Sequence, residues 1–372
     1  MKLKHGIIVV LALGLLTVSC KKEENNESGK PMFHKISNML YEVTYDSYSA
    51  EPIGTYDEIS GEMSCSSVRN GNYHGRNFDF FMNQSSTFIV HTTAKQNRYA
   101  TISVARLTNV NDGKVDAGLT DRQIQILPWA LIDGINEKGL VINSNVVAKA
   151  DGGTIPHTGT KPGAPELNVL HAIRALLDHC ASVQEALDYL DAHNITPLGS
   201  ETMDLHLMIS DTVETYVVEI INNTIVAKPQ NIMTNFFVNM DSIPNYAIGV
   251  ERYNILSEHY AEGGTSMEGM RNLMQRVRYT NSYYAHNKWY SEIAASYGIA
   301  NRDIPLYNGT LDNILEEQEA EWIVEKEYVE KNGLRAETPW WDTSTNSVYD
   351  IKNKILWITL HERYDQKYEF RL

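Results

Sequence analysis

Cysteine is scarce in this 372-residue chain. There are three, Cys20, Cys65 and Cys180, and they do not indicate a disulfide framework. Positive charge is outweighed: 32 Lys and Arg against 47 Asp and Glu give a formal net charge of −15. A nucleic-acid partner needs a basic surface, so that class is disfavoured. The apolar run from Ile7 to Val18 is too short to span a membrane. The 12 histidines show no zinc-like spacing with each other or with the cysteines, so no metal or other cofactor is expected. No Gly-x-Ser-x-Gly elbow is present, which disfavours a serine hydrolase, and no internal repeat is visible. What remains is ordinary for a soluble globular protein, 42% hydrophobic and 21% charged.

The first 20 residues are laid out differently. Lys2 and Lys4 precede the apolar run, which ends in Ser19-Cys20, the pattern of a secretory signal. Small residues before Cys20 resemble a bacterial lipoprotein processing site, with Thr17 where leucine is usual. Lipid attachment at Cys20 is favoured over plain secretion. The expectation is an exported bacterial lipoprotein, facing the periplasm or cell surface and held to the membrane by lipid alone. Residues 21–64 read as a tether, an amphipathic helix and a propeptide. The tether is polar through Pro31. Met32, Phe33, Ile36, Met39, Leu40 and Val43 recur at helical spacing and predict the helix.

From Cys65 onward the pattern is that of sheets. Thr87 to His91, Tyr99 to Leu107 and Leu131 to Ile142 predict strands, the last a pair turned at Asn136-Glu137-Lys138-Gly139. Two helices follow, one with Val169, Ile173, Leu176, Leu177 and Cys180 on its apolar stripe, the next opened by a Ser182/Glu185 capping box. Cys180 therefore reads as core. Leu205 to Ile209, Thr215 to Ile221 and Thr224 to Ala227 predict more strands, then a helix from Ser266 to Val277 and strands after Ser347. Residues 279–335 look like an insertion, with a helix at 311–331. Strands, paired helices, then strands again predict an α+β domain in which two sheets lie between helices.

One stretch could carry chemistry. Ser64-Cys65-Ser66-Ser67-Val68 and Gly75-Arg76-Asn77-Phe78-Asp79-Phe80 flank an Asn70-Gly71 hairpin signal, which returns Arg76 and Asp79 beside Cys65. Arg76 and Asp79 lie three apart, on opposite faces of an extended strand, and need a kink to converge. A guanidinium near a thiol favours the nucleophilic thiolate. The plain alternative is a packing cysteine, the commoner fate of that residue.

Cys-Ser-Ser-Val followed by Gly-Arg-Asn-Phe-Asp-Phe resembles the opening of the choloylglycine hydrolase family. That family includes bile salt hydrolases and penicillin V acylases, and is related to acid ceramidase and N-acylethanolamine acid amidase. Three further stretches follow in the family's order. They are Gly134 to Leu140, Leu205 to Asp211, and Met233-Thr234-Asn235 with Glu251-Arg252-Tyr253 a little later. The resemblance implies a four-layer αββα sandwich of the N-terminal-nucleophile hydrolase type and hydrolysis of a linear amide in an acyl-conjugated small molecule. It implies the catalytic set Cys65, Arg76, Asp79, Asn145, Asn235 and Arg252. Asn143 is an alternative to Asn145, and Arg271, Arg276 and Arg278 are rivals of Arg252. His206 is tempting as a base but reads as structural. In this class the nucleophile begins the mature chain, so autocleavage between Ser64 and Cys65 is expected, with the N-terminal fragment remaining bound. Conjugated bile acids, N-acyl amides, penicillin V and acyl homoserine lactones all suit that chemistry. A surface lipoprotein that uses the fold only to bind is the reading from a different class.

Overall fold

The chain turns at Asn70-Gly71-Asn72, where Gly71 sits at φ +60°, a conformation open to glycine at no steric cost. That turn joins β3 (Ser64–Asn70) to β4 (Tyr73–Phe81), with Asn70 opposite Tyr73 and Cys65 opposite Phe78. The hairpin anticipated from Asn70-Gly71 is therefore present. The computed structural model describes residues 30–37, 39–49, 64–81, 86–106, 119–147, 157, 159–197, 205–239, 249–278, 341–360 and 364–372. The expected signal, the expected lipid site Cys20, residues 50–63 and the expected 279–335 insertion with its helix lie outside the described residues.

Before the hairpin come β1 (Met32–Lys35) and β2 (Leu40–Tyr45). After it come β5 (Thr87–Thr92), β6 (Thr101–Arg106), α1 (Asp121–Ile126), β7 (Leu131–Asn136) and β8 (Val141–Val146). The short β9 (Glu166–Asn168) leads into α2 (Val169–His179), α3 (Val183–Asp191) and β10 (Asn194–Thr196). Then follow β11 (Leu205–Ser210), β12 (Thr215–Ile221), β13 (Thr224–Pro229) and β14 (Ile232–Met233). The described chain closes with α4 (Val250–Glu258), α5 (Met267–Arg276), β15 (Trp341–Asp350), β16 (Ile355–Leu360) and β17 (Tyr368–Arg371).

Nine strands form one sheet, in the order β1-β2-β5-β6-β7-β8-β11-β12-β13, and six form a second, β14-β3-β4-β15-β16-β17. Their facing sides share an apolar layer in which Ile89, Ile102 and Ile135 meet Tyr349, Leu356 and Ile358. The outer face of the nine-stranded sheet is covered by α2 and α3, with Ile173, Leu176, Leu177 and Leu190 against Phe88, Val90 and Leu207. On the outer side of the six-stranded sheet, Met270, Leu273 and Met274 of α5 pack on Val68 and Val348. Each such fully buried side chain contributes roughly 1.5–3 kcal/mol. The layers run helix, sheet, sheet, helix: the expected αββα sandwich. Among the described residues, no helix is long and apolar enough to cross a membrane.

The expected amphipathic helix around Met32 to Val43 is absent. These residues form the β1–β2 hairpin at the edge of the nine-stranded sheet, where β2 pairs in parallel with β5. The reason is in the side chains. Tyr41, Val43 and Tyr45 alternate along one face and are all buried, and Phe33 stacks on Tyr41, which stacks on Phe88. The same apolar set fits a period of 3.6 or 2. An open sheet edge supplies backbone partners that decide for the strand.

The Asn136-Glu137-Lys138-Gly139 turn is built by Asn136. Its side-chain oxygen accepts from the Lys138 and Leu140 amides at 3.0 and 3.1 Å, and its amide donates to Leu177 and Cys180 carbonyls. One residue thus shapes the β7–β8 turn and ties it to the end of α2.

Candidate active site

Cys65 is the second residue of β3 and is 1% exposed. Residues opposite one another in an antiparallel pair share a face, so Cys65 and Ser67 lie with Phe78 and Arg76. Arg76 Nη2 donates to Cys65 Sγ at 3.7 Å and to the Ser144 carbonyl at 2.7 Å. Its Nη1 meets Asp133 Oδ2 at 3.1 Å, and its charge sits over the Phe78 ring. Asp133 also accepts hydroxyl hydrogens from Tyr349 and, at 3.2 Å, Ser347. Burial pushes the Asp133 carboxyl up, and Arg76 with the two hydroxyls offsets part of that push.

No kink brings Asp79 round to join Arg76. The β3–β4 register runs unbroken from Ser64 opposite Asp79 to Asn70 opposite Tyr73, so the two side chains stay on opposite faces of β4. They bracket Cys65 instead. Asp79 accepts from Thr343 at 2.6 Å and pairs with Arg252 of α4 at 2.5 Å. The second Arg252 nitrogen donates to Asn235 Oδ1, and that same oxygen accepts the backbone N–H of Cys65 at 3.0 Å. Here the ladder explains the contact. β14 pairs with β3 through Ile232 opposite Val68 and Met233 opposite Ser67 and ends there, so the next outward-facing N–H, that of Cys65, must find a side chain. Gly249, at φ +86°, begins α4 so close to this segment that a Cβ would lie 2.9 Å from the Asn235 nitrogen. Asn235 Nδ2 donates to the Val146 carbonyl at 2.8 Å.

Asn145 and Asn143 are both buried on β8. Asn145 Nδ2 is directed at the Met233 and Thr234 carbonyls, 3.3 and 3.2 Å away, and its oxygen accepts from Ser67 and Asn143. Asn143 in turn accepts from His74 at 2.8 Å, while the other His74 ring nitrogen meets the Ser210 hydroxyl at 3.0 Å. Burial lowers His74 to about 4, so the ring is neutral. The rivals of Arg252 are engaged elsewhere: Arg271 with Thr359, Glu268 and Gln366, Arg276 with Glu262, and Arg278 with the Gln275 carbonyl. His206 contacts the Thr234 carbonyl at 2.9 Å rather than Cys65. Cys180 is buried in the core beneath the helices, as expected.

The thiol itself departs from expectation. Burial pushes Cys65 up, Arg76 and Arg252 pull it down, and Asp79 pushes it up again. Burial prevails, so the sulfur is held as a neutral thiol. Proximity to arginine is legible from a hairpin; the desolvation that outweighs it is not.

Asp133, the partner of Arg76, and Thr343, the partner of Asp79, are contacts that sequence reasoning missed. Asp133 had a signal: an acid on the inward-facing side of an apolar strand requires a cation. Thr343 had none, being 264 residues from the carboxylate it holds. Among the described residues, no group of three or more His, Cys, Asp or Glu is arranged to hold a metal ion.

Among solved structures, a mutant of the conjugated bile acid hydrolase from Clostridium perfringens is similar at 14% identity and a TM-score of 0.40, over 83% of this chain and 92% of that one. Penicillin V acylase from Agrobacterium tumefaciens is similar at 16% identity and a TM-score of 0.36, over 80% and 82%. No curated protein matches the chain. A family model, linear amide C-N hydrolases, choloylglycine hydrolase family, matches residues 62–262, more than half of the 372. The chain belongs to the choloylglycine hydrolase family and is a hydrolase of carbon–nitrogen bonds in linear amides, other than peptide bonds.

Proposed function

We propose that the enzyme is a cysteine N-terminal-nucleophile hydrolase whose nucleophile and base are both Cys65, freed by cleavage after Ser64. One observation carries this reading. The Cys65 sulfur faces Arg76 at 3.7 Å while its backbone nitrogen is held by Asn235, which Arg252 links to Asp79. Both reactive atoms of one residue are therefore separately gripped.

In the uncut chain the thiol adds to the Ser64 carbonyl, a C–S bond forms, the Ser64–Cys65 C–N bond breaks, and the nitrogen keeps the thiol proton. Water then hydrolyses the thioester. The products are a carboxylate on Ser64 and an α-amine on Cys65. A cysteine of about pKa 8.5 beside an amine of about 7.7–8.0 exchanges its proton at little cost. With substrate, the amine takes the thiol proton and the thiolate attacks the amide carbonyl. Asn235 Nδ2 is the candidate donor to the tetrahedral oxyanion, an interaction worth about 3–4 kcal/mol where measured elsewhere. The ammonium protonates the departing amine, and water, deprotonated by the same amine, releases the acid from the thioester. Arg76 holds the sulfur, Asp79 and Arg252 orient the amine, and Asn145 anchors the backbone ahead of Asn235.

Export with a lipid on Cys20 belongs to the same reading, as does retention of the N-terminal piece. Residues upstream of the cut supply β1 and β2 to the nine-stranded sheet, and Tyr48 donates to Asp178 at 2.6 and 2.7 Å. Mass spectrometry of the purified protein is expected to find a chain starting at Cys65, co-purifying with the upstream fragment. A release assay across glycine- and taurine-conjugated bile acids, penicillin V and N-acyl ethanolamines identifies the amide. A fully active enzyme with an intact Ser64–Cys65 bond would refute the amine-as-base scheme.

A further inference from the structure

After β14 the chain leaves the sheet without leaving the interior. Thr234, Asn235, Phe236 and Val238 are all at most 8% exposed, and among the described residues no strand pairs with them. Buried backbone groups need partners, so side chains must supply them. They come largely from one row of residues crossing three strands. Asn145 of β8 lies opposite His206 of β11, which lies opposite Glu219 of β12, and each is at most 1% exposed. Asn145 donates to the carbonyls of Met233 and Thr234. His206 Nε2 lies 2.9 Å from the Thr234 carbonyl, which can only accept, so that nitrogen carries hydrogen. Glu219 accepts the amides of Val238 at 2.5 Å and Asn239 at 3.3 Å, and the Asn239 side-chain amide as well. Its Oε1 also lies 3.8 Å from His206 Nδ1, and these donors hold the Glu219 carboxyl below the usual range despite its burial. Asn235 thus sits on a span clamped on one side by His206 at Thr234 and on the other by Glu219 at Val238.

We propose that His206 and Glu219 are positioning residues for hydrolysis: clamping residues 234–239 at both ends, they fix the Asn235 side chain against the Cys65 nitrogen and the developing oxyanion. This rests on the assignment of Cys65 and Asn235 made above. Neither residue touches the reacting atoms. Their effect is geometric, and a misplacement of about 1 Å costs on the order of 10²-fold in rate.

The test uses the full processed protein and the amide of the release panel turned over fastest. Rates are expressed per chain that begins with Cys65, and active sites are counted by iodoacetamide alkylation. Asn235→Ala is expected to lower kcat by about 10²–10³-fold. His206→Leu is expected to lower kcat by about 10–10²-fold with KM within about threefold of the parent. His206→Gln, whose amide can still donate to Thr234, is expected to recover most of that loss. In the double variant His206→Leu with Asn235→Ala, no loss beyond that of Asn235→Ala is expected, because His206 acts through Asn235. Should His206→Leu not accumulate, Glu219→Gln carries the same comparison, alone and with Asn235→Ala. A parent-like kcat in these variants, a multiplicative loss in the double variant, or a His206→Gln no better than His206→Leu would overturn the proposal. An Asn235→Ala enzyme at the parent rate would instead overturn the oxyanion assignment on which it rests.

Discussion

Two regions of this molecule bury the same three kinds of group, an arginine, a carboxylate and a cysteine, and finish them differently. On the helical side of the nine-stranded sheet, every nitrogen of Arg174 is engaged: with the Pro128 carbonyl, Asp178, the Tyr48 hydroxyl, and the hydroxyls of Thr92, Thr101 and Ser103. Between the sheets, Arg76 is equally buried, yet its Nε has no partner among the described residues and one Nη2 contact is a sulfur at 3.7 Å. A saturated guanidinium is a clasp whose interactions are complete in the folded ground state. In the proposed function, the incompletely satisfied one beside Cys65 holds interaction in reserve for a charge that forms later, which is the arrangement that accelerates a reaction. A buried ion pair does not by itself distinguish the two regions; the sulfur among the contacts of Arg76 does.

The strongest way to break this comparison is at the sulfur. Cys65→Ala is expected to leave the chain uncut, with hydrolysis reduced by at least about 10⁴-fold; mass spectrometry and the release assay read both. An active Cys65→Ala enzyme would erase the distinction between the regions. Next comes the clasp. Arg174→Met strands Asp178 in the interior and is expected to cost about 3–5 kcal/mol of stability, read as a denaturant midpoint, with kcat per folded molecule within about twofold. Arg76→Lys is expected to show the opposite balance: about 10²-fold off kcat and a smaller stability loss, since lysine keeps a cation for Asp133 but cannot also reach Ser144 and the sulfur.

Acid probes both regions at once. His74 between the sheets and His171 beside Trp129 are each lowered by burial from 6.5 to about 4. The folded state therefore holds them neutral while the unfolded chain takes up protons below pH 6.5. Stability is expected to be complete above pH 6.5 and to fall as the pH drops toward 4. At 1.36 kcal/mol per pH unit the loss is about 3 kcal/mol for each ring. His74→Gln should remove about half of this slope in denaturant titrations from pH 7 to 4. An unchanged slope would mean that His74 is not held neutral.

What the sequence discloses follows the range over which each feature is decided. The Asn70-Gly71 turn is local, so the approach of Arg76 to Cys65 is legible, as are the capped helices and the alternating strands. Features decided by distant partners are not. The apolar spacing of Met32 to Val43 fits a helix until the open edge at β5 is known. The pairing of Asp79 with Arg252 spans 173 residues, and no periodicity encodes it. The kink expected between Arg76 and Asp79 was an answer to a mistaken question, because the two residues serve different atoms of Cys65. The charge state of that thiol depends on burial, a property of the whole interior, and here it outweighs the neighbouring arginine.

The smallest effect belongs to the other cysteine among the described residues, Cys180, and it sharpens the comparison most directly. Cys180 is as buried as Cys65, and burial together with Glu185 and Asp188 pushes its thiol up to about 12. No arginine faces it among these influences; its neighbours carry the sign that suppresses a thiolate. It packs in the layer with Leu176, Leu177 and Val183, and it is its carbonyl, not its sulfur, that Asn136 uses. Cys180→Ala removes one sulfur atom from that layer and keeps the backbone contact. The expected cost is about 1 kcal/mol, seen as a fall of about 1–2 °C in Tm, with processing and kcat unchanged. Two thiols buried to the same degree would then differ wholly in consequence, and the cause would lie in the charges around them rather than in exposure. A loss of processing or turnover in Cys180→Ala would make burial, not the surrounding charges, the common property that matters.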